Sequence, residues 1–164
     1  MSLSVEIRLD GAPRGKGAGR AFTTSAGARI FTDDKTRKYE SQLRYAAQQV
    51  MAGRPPTDQP VFVAIEARFQ IPVSFSRKKR EKALSGIIRP AVRPDTENLA
   101  KCADALNGVV WVDDKQIVEE WISKFYAEQP GLMITVKTLD MLVDEPRQAK
   151  ASRLPLFNAE MTML

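Results

Sequence analysis

Polar and apolar residues alternate over positions 4–9 (Ser-Val-Glu-Ile-Arg-Leu), which predicts a strand with Val5, Ile7 and Leu9 facing inward. A glycine-rich basic loop over 11–19 carries Arg14 and Lys16 and leads to Arg20, and residues 21–32 read as a hairpin around Gly27. From 34 to 51 the period becomes helical through Tyr39, Leu43, Ala46, Ala47 and Val50. Thr32 or Asp33 can cap this helix, and Pro55 and Pro56 stop it. Residues 61–69 predict a strand, and 76–84 a short basic helix with Arg77, Lys78, Lys79 and Arg80. A second helix is expected over 95–107, capped by Asp95 and closed by Gly108. Its inner face is Leu99, Cys102, Ala103 and Leu106, and Glu97, Lys101 and Asp104 lie opposite. Residues 116–126 and 132–138 read as two antiparallel strands joined near Gln129-Pro130-Gly131, and no period survives beyond Leu139. The expected fold is a two-layer α+β domain. Strands near 4–10, 61–70, 117–126 and 132–138 form a mixed, mainly antiparallel sheet with two long helices packed on one face. The domain spans 1–138, and 139–164 form a C-terminal tail.

Composition narrows the chemistry. With no histidine and one cysteine, histidine-based nucleophile systems, histidine-rich or thiolate zinc sites and internal disulfides are all excluded. Any metal must be held by oxygen, which favours magnesium or manganese. No apolar run approaches the ~20 residues of a membrane span, and the first ten residues lack the apolar block of a secretory leader, so a cytoplasmic protein is expected. The net charge of +5 is uneven: 18 lysines and arginines against 8 acids up to Pro94, then 7 against 12. A basic first half suits a polyanion partner, and an acidic second half suits a bound cation.

The acids are concentrated around the second helix. Asp95, Glu97 and Asp104, with the Asp113-Asp114 pair after a short apolar stretch, could converge beside Lys101. Phosphodiester hydrolysis calls for such a set: carboxylates for a metal that neutralises the phosphate and acidifies a water, next to a positive charge. Plainer readings exist for each residue. Glu97 and Lys101 at i, i+4 make an ordinary surface pair, Asp95 a helix cap, and Asp113-Asp114 a turn.

The segments Arg93-Pro94-Asp95-Thr96-Glu97-Asn98-Leu99-Ala100-Lys101, Asp104-Ala105-Leu106-Asn107-Gly108 and Trp111-Val112-Asp113-Asp114-Lys115-Gln116-Ile117 together resemble the RusA family of Holliday junction resolvases. The resemblance implies a homodimeric α+β endonuclease that uses magnesium, with manganese able to substitute, to cut four-way DNA junctions by paired nicks in recombination and repair. It implies Asp95, Glu97 and Asp114 as metal-binding catalytic carboxylates, and Lys101 as the essential lysine near the scissile phosphate. Asp113 joins the metal set. Asp104 and Asp113 correspond to family acids that either orient the ligands or support the helix. The family most often has Asp where this chain has Glu97, which keeps the charge and lengthens the reach by one methylene.

Junction phosphates would be met by Arg14, Lys16, Arg20, Arg77, Lys78, Lys79, Arg80 and Arg93, though a charge run can equally be a solvated face. Two other functions fit the same residues: a metal-dependent nuclease for other branched DNA, and a catalytically idle DNA-binding protein of the same fold. In the tail, Arg153-Leu154-Pro155-Leu156-Phe157 is similar to peptides that dock on the bacterial sliding clamp. Leu154, Leu156 and Phe157 would fill the pocket, unless they cover the protein's own core or a dimer partner.

Overall fold

The computed structural model describes residues 2–17, 20–24, 27–31 and 33–140, with 20–31 described by backbone pairing alone. Its four-stranded sheet has the order β1 (Ser4–Asp10), β6 (Gly131–Thr138), β4 (Val61–Gln70), β5 (Ile117–Ala127). β6 runs antiparallel to both β1 and β4, whereas β4 and β5 are parallel, so the sheet is mixed. A separate antiparallel ribbon pairs β2 (Arg20–Thr24) with β3 (Gly27–Phe31). No helix among the described residues is long and apolar enough to cross a membrane.

The alternation read from the chain is the alternation that packs. Val5 and Ile7, Val61, Val63, Ile65 and Ala67, and Leu132, Ile134 and Val136 turn inward from three strands and form one core. Helix α1 (Asp34–Met51) covers β1 and contributes Leu43, Ala47 and Met51. Asp33 caps it by accepting from the Thr36 amide at 2.9 Å, and Ala52 ends it in the left-handed region. Ser76 caps the short basic helix α2 (Arg77–Leu84), which lies beside β5.

Two expectations are corrected. β5 and β6 are not a hairpin, because β4 lies between them. The turn chemistry at Gln129-Pro130-Gly131 is real, but Gly131 continues into pairing with β1 and β4, and the partner of β5 is the more distant β4. The second long helix is also absent as such. Asp95 caps a five-residue α3 (Thr96–Ala100), and the chain then tightens into a 3₁₀ helix over Lys101–Leu106. Leu99, Cys102, Ala103 and Leu106 are nonetheless buried as expected. Beyond Leu106, Gly108 takes φ +70, a turn that lets its amide reach the Trp111 carbonyl at 2.8 Å and buries the Trp111 ring completely.

The glycine-rich loop is tied down at its centre. The Lys16 amide donates to the Asn98 carbonyl at 2.8 Å, and the Cys102 thiol donates to the Arg14 carbonyl at 2.9 Å. A β-carbon on Gly15 would stand 2.6 Å from Cβ of Pro94 and 2.8 Å from Cβ of Asn98, whereas one on Gly17 would meet nothing within 4 Å. Gly15→Ala should therefore destabilise the protein by about 1–3 kcal/mol, the range for forced overpacking, while Gly17→Ala should be neutral or slightly stabilising. Urea denaturation of the two variants checks this, and equal midpoints would contradict the close approach.

Burial pushes the Cys102 thiol up to about 11, which leaves roughly one thiolate in a thousand at pH 8. Labelling of native protein by a thiol reagent at that pH should be far slower than labelling in denaturant. Comparable rates would mean the loop does not stay closed over Cys102.

Candidate active site

β5 is the wall of the site. Its residues Glu120, Ile122 and Lys124 pair with Val63, Ile65 and Ala67, so all three share the helix-covered face. α3 and the 3₁₀ helix run along this wall, and two charged meetings mark their course. At the α3 end, the Lys124 ammonium donates to the carbonyls of Val92 and of Pro94, the latter at 2.8 Å, directly before Asp95. Desolvation lowers the Lys124 pKa, and the charge of Asp95 pulls the other way. At the far end Asp104 lies near Glu120, whose pKa is raised by burial and then by the Asp104 charge.

Lys101, Asp104, Asp114 and Glu120 line one cleft of about 370 Å³, with Lys115 at its edge. Asp114 arrives there because Asp113 and Gln116 form a capping box around the 3₁₀ turn Asp114–Gln116. Gln116 then anchors the turn by donating its amide to the carbonyls of Thr57 at 2.8 Å and Gln59 at 3.0 Å.

The acids expected from the sequence have distinct placements. Asp95 has both carboxylate oxygens engaged by Asn98, one by the backbone amide at 2.8 Å and one by the side-chain amide at 3.1 Å. Each oxygen keeps a further lone pair. Glu97 pairs with Lys101 at 2.6 Å. Asp113 accepts from the Lys115 amide at 3.1 Å, and that bond, foremost, holds its pKa below the usual carboxylate value. Asp104 and Asp114 face the cleft. Among the described residues no three carboxylates are gathered at the spacing that holds a metal ion. The donor set still suits a hard cation, because every candidate ligand is a carboxylate oxygen.

The basic residues divide. Arg14 bonds to Asp33 at 3.1 Å, and Lys16 bridges Glu40 at 2.9 Å and Asp104 at 3.3 Å, so both brace the loop. Arg77, Lys78, Lys79 and Arg80 sit on α2, where Arg77 pairs with Glu81 and Lys79 lies 4.0 Å over the Phe75 ring. Phe75 in turn stacks edge-on against Tyr126. Arg93 is exposed on the approach to Asp95, and the Arg20 side chain and residues 141–164 lie outside the described residues.

Glu40, Glu120 and Lys124 were missed from sequence. The period of β5 could have found two of them, since Ile122 inward places Glu120 and Lys124 on the same face. Glu40 carries no comparable signal, because its partner Lys16 comes from a loop.

The family model described as "Endodeoxyribonuclease RusA" matches residues 10–137, which contain every charged residue of the cleft. The chain is also similar to "Uncharacterized protein YqaN" of Bacillus subtilis (strain 168), 30% identical over 138 residues, covering 81% of this chain and 95% of that protein. With the match running from the end of β1 into β6 and through the carboxylate cleft, the chain belongs to the RusA endodeoxyribonuclease family.

Proposed function

We propose that this chain is a metal-dependent endonuclease that resolves four-way DNA junctions by paired nicks, acting as a cytoplasmic homodimer in recombination and repair. The observation that carries the reading is the cleft itself, which Asp104, Asp114 and Glu120 line together with Lys101 in a chain of this family. A two-fold junction suits two symmetric sites, which supports the dimer.

Asp95, Glu97, Asp113 and Asp114 are the residues that would hold magnesium, or manganese in its place, and Asp104 and Glu120 line the cleft with Asp114. When bound, the ion would neutralise phosphate oxygens and acidify an attacking water. Lys101 places a positive charge at the same cleft, steered by its bond to Glu97. Lys124 fixes the carbonyls that precede Asp95 and so sets where α3 begins. The α2 run and Arg93 supply exposed positive charge for the junction arms, Arg14 and Lys16 hold the glycine-rich loop, and Arg20 is a further proposed DNA contact.

Asp95→Asn and Asp114→Asn should each leave junction binding intact or tighter, because each removes repulsion against phosphate. Cleavage of a synthetic four-way junction in magnesium should fall by more than about 100-fold, above the cost of losing an outer contact. Chelation with EDTA should stop turnover of the native protein. Normal cutting by either variant removes that residue from the site, and turnover in EDTA removes the metal.

Glu97→Asp should retain cleavage within about tenfold, since charge is kept while the reach shortens by one methylene. The same assay reads it, and complete loss would show the site is built around the longer side chain and its hold on Lys101.

A further inference from the structure

Asp104 is a wall shared by two clefts. On one side is the carboxylate cleft, and on the other a second cleft of about 400 Å³, between the glycine-rich loop and α1. Lys16, Arg37, Glu40, Ser41 and Arg44 complete its lining together with Ala105. Within it, Lys16 bridges Glu40 and Asp104, so one cation is shared between the two acids. Arg37 and Arg44 are the other two cations of the lining, and each has partners of its own. The Arg37 guanidinium pairs with Asp34 at a surface where both side chains are more than half exposed, a pairing water screens and a stronger anion displaces. Arg44 bonds through Nη1 to the carbonyls of Ala105 at 3.3 Å and Asn107 at 2.9 Å. Those bonds hold the guanidinium in place without neutralising it, leaving further N–H donors of a fixed fork.

Arg37, Ser41 and Arg44 stand at i, i+4 and i+7, one stripe along α1. The stripe is about 10 Å long, the span of about three nucleotides of one strand at ~3.4 Å each. It begins one side chain away from the cleft proposed to cut DNA.

We propose that this second cleft is a DNA-backbone subsite, in which Arg37 and Arg44 grip phosphates of the cut strand just beyond the scissile one. The proposal rests on the nuclease reading and adds to it the path of the strand: over Asp104 and along α1, away from α2. Phosphate fits better than a carboxylate-bearing peptide because the stripe repeats along the helix at a spacing a regular polyanion matches, and because Asp104 joins it to the cutting cleft.

The test is the salt dependence of binding to a fluorescent four-way junction and to a linear duplex, both in calcium, for the native protein and three variants. Arg37→Gln should lower the slope of log affinity against log salt by about 1, and Arg37→Gln with Arg44→Gln by about 2, since each lost phosphate contact removes ~0.9. Lys38→Gln removes the same charge from the neighbouring position of α1, outside the cleft, and should change the slope least. Because Arg44 also holds two carbonyls, melting temperatures accompany the binding curves, and the single Arg37→Gln variant decides the case if the double variant melts lower. Unchanged slopes in a native protein that binds DNA overturn the subsite and leave the nuclease reading standing, as does an equal drop for Lys38→Gln. A native protein that binds neither DNA overturns both.

Discussion

The parallel pairing of β4 with β5 is the constraint on which the site depends. Parallel neighbours cannot be joined by a tight turn, so residues 71–116 must leave the end of β4, cross over the sheet and return to its beginning. The return is pinned by Gln116, whose side-chain amide holds the carbonyls of Thr57 and Gln59 just ahead of β4. α3 and the 3₁₀ helix therefore descend along β5, from the level of Lys124 at Asp95 to the level of Glu120 at Asp104. Asp114 then turns back into the same strand. Asp104, Asp114 and Glu120 come to line one cleft because one crossover passes the same wall twice.

The electrostatics of that meeting are held by weak pairs. Lys101 is bound to Glu97 with side chains 41% and 78% exposed, and Lys16 is bound to Asp104 with 30% and 47%. Partly exposed pairs of this kind contribute roughly 0–1 kcal/mol each, so they set the direction of a side chain without committing it. The rigid part of the site is elsewhere, in contacts that exclude water: Gly15 against Pro94 and Asn98, the Cys102 thiol on the Arg14 carbonyl, and Lys124 on the carbonyls before Asp95. Such a division suits a nuclease, because the lysines can exchange a carboxylate for a phosphate while the backbone that presents them stays put.

Much of this was legible in the sequence where the signal is local. Period 2 located β1, β4 and β6, helical spacing and Asp33 located α1, and the acidic segments around Lys101 singled out Asp104 and Asp114, which line one cleft with it. What was not legible is long-range or a change of helical pitch. The turn residues at 129–131 describe how the chain bends but not which strand it returns to, and it is pairing with β6 on one edge and β5 on the other that makes β4 central. Lys16 looked like a free phosphate contact because charge in a loop says nothing of Glu40 and Asp104, which come to it through tertiary packing. Its raised pKa, due first to Glu40, is a property of three elements together.

The change of pitch at Lys101 bears most directly on what the site can do. In an α-helix, residues three apart are offset around the axis, whereas in a 3₁₀ helix they eclipse. Glu97 and Lys101 are related by the α turn and bond to each other along it. Lys101 and Asp104 are related by the 3₁₀ turn, and both line the carboxylate cleft. Ala103 and Leu106, three apart in the same way, are both buried, so the tighter winding also aligns the inner face. Regular α geometry continued to Leu106 would rotate Asp104 about the axis relative to Lys101. The heptad-like pattern of Leu99, Cys102, Ala103 and Leu106 is satisfied by either winding, which is why it read as one long helix. Either winding keeps Asp104 on the face of Lys101, and the 3₁₀ turn sets it in line with Lys101, near Glu120 and bonded to Lys16.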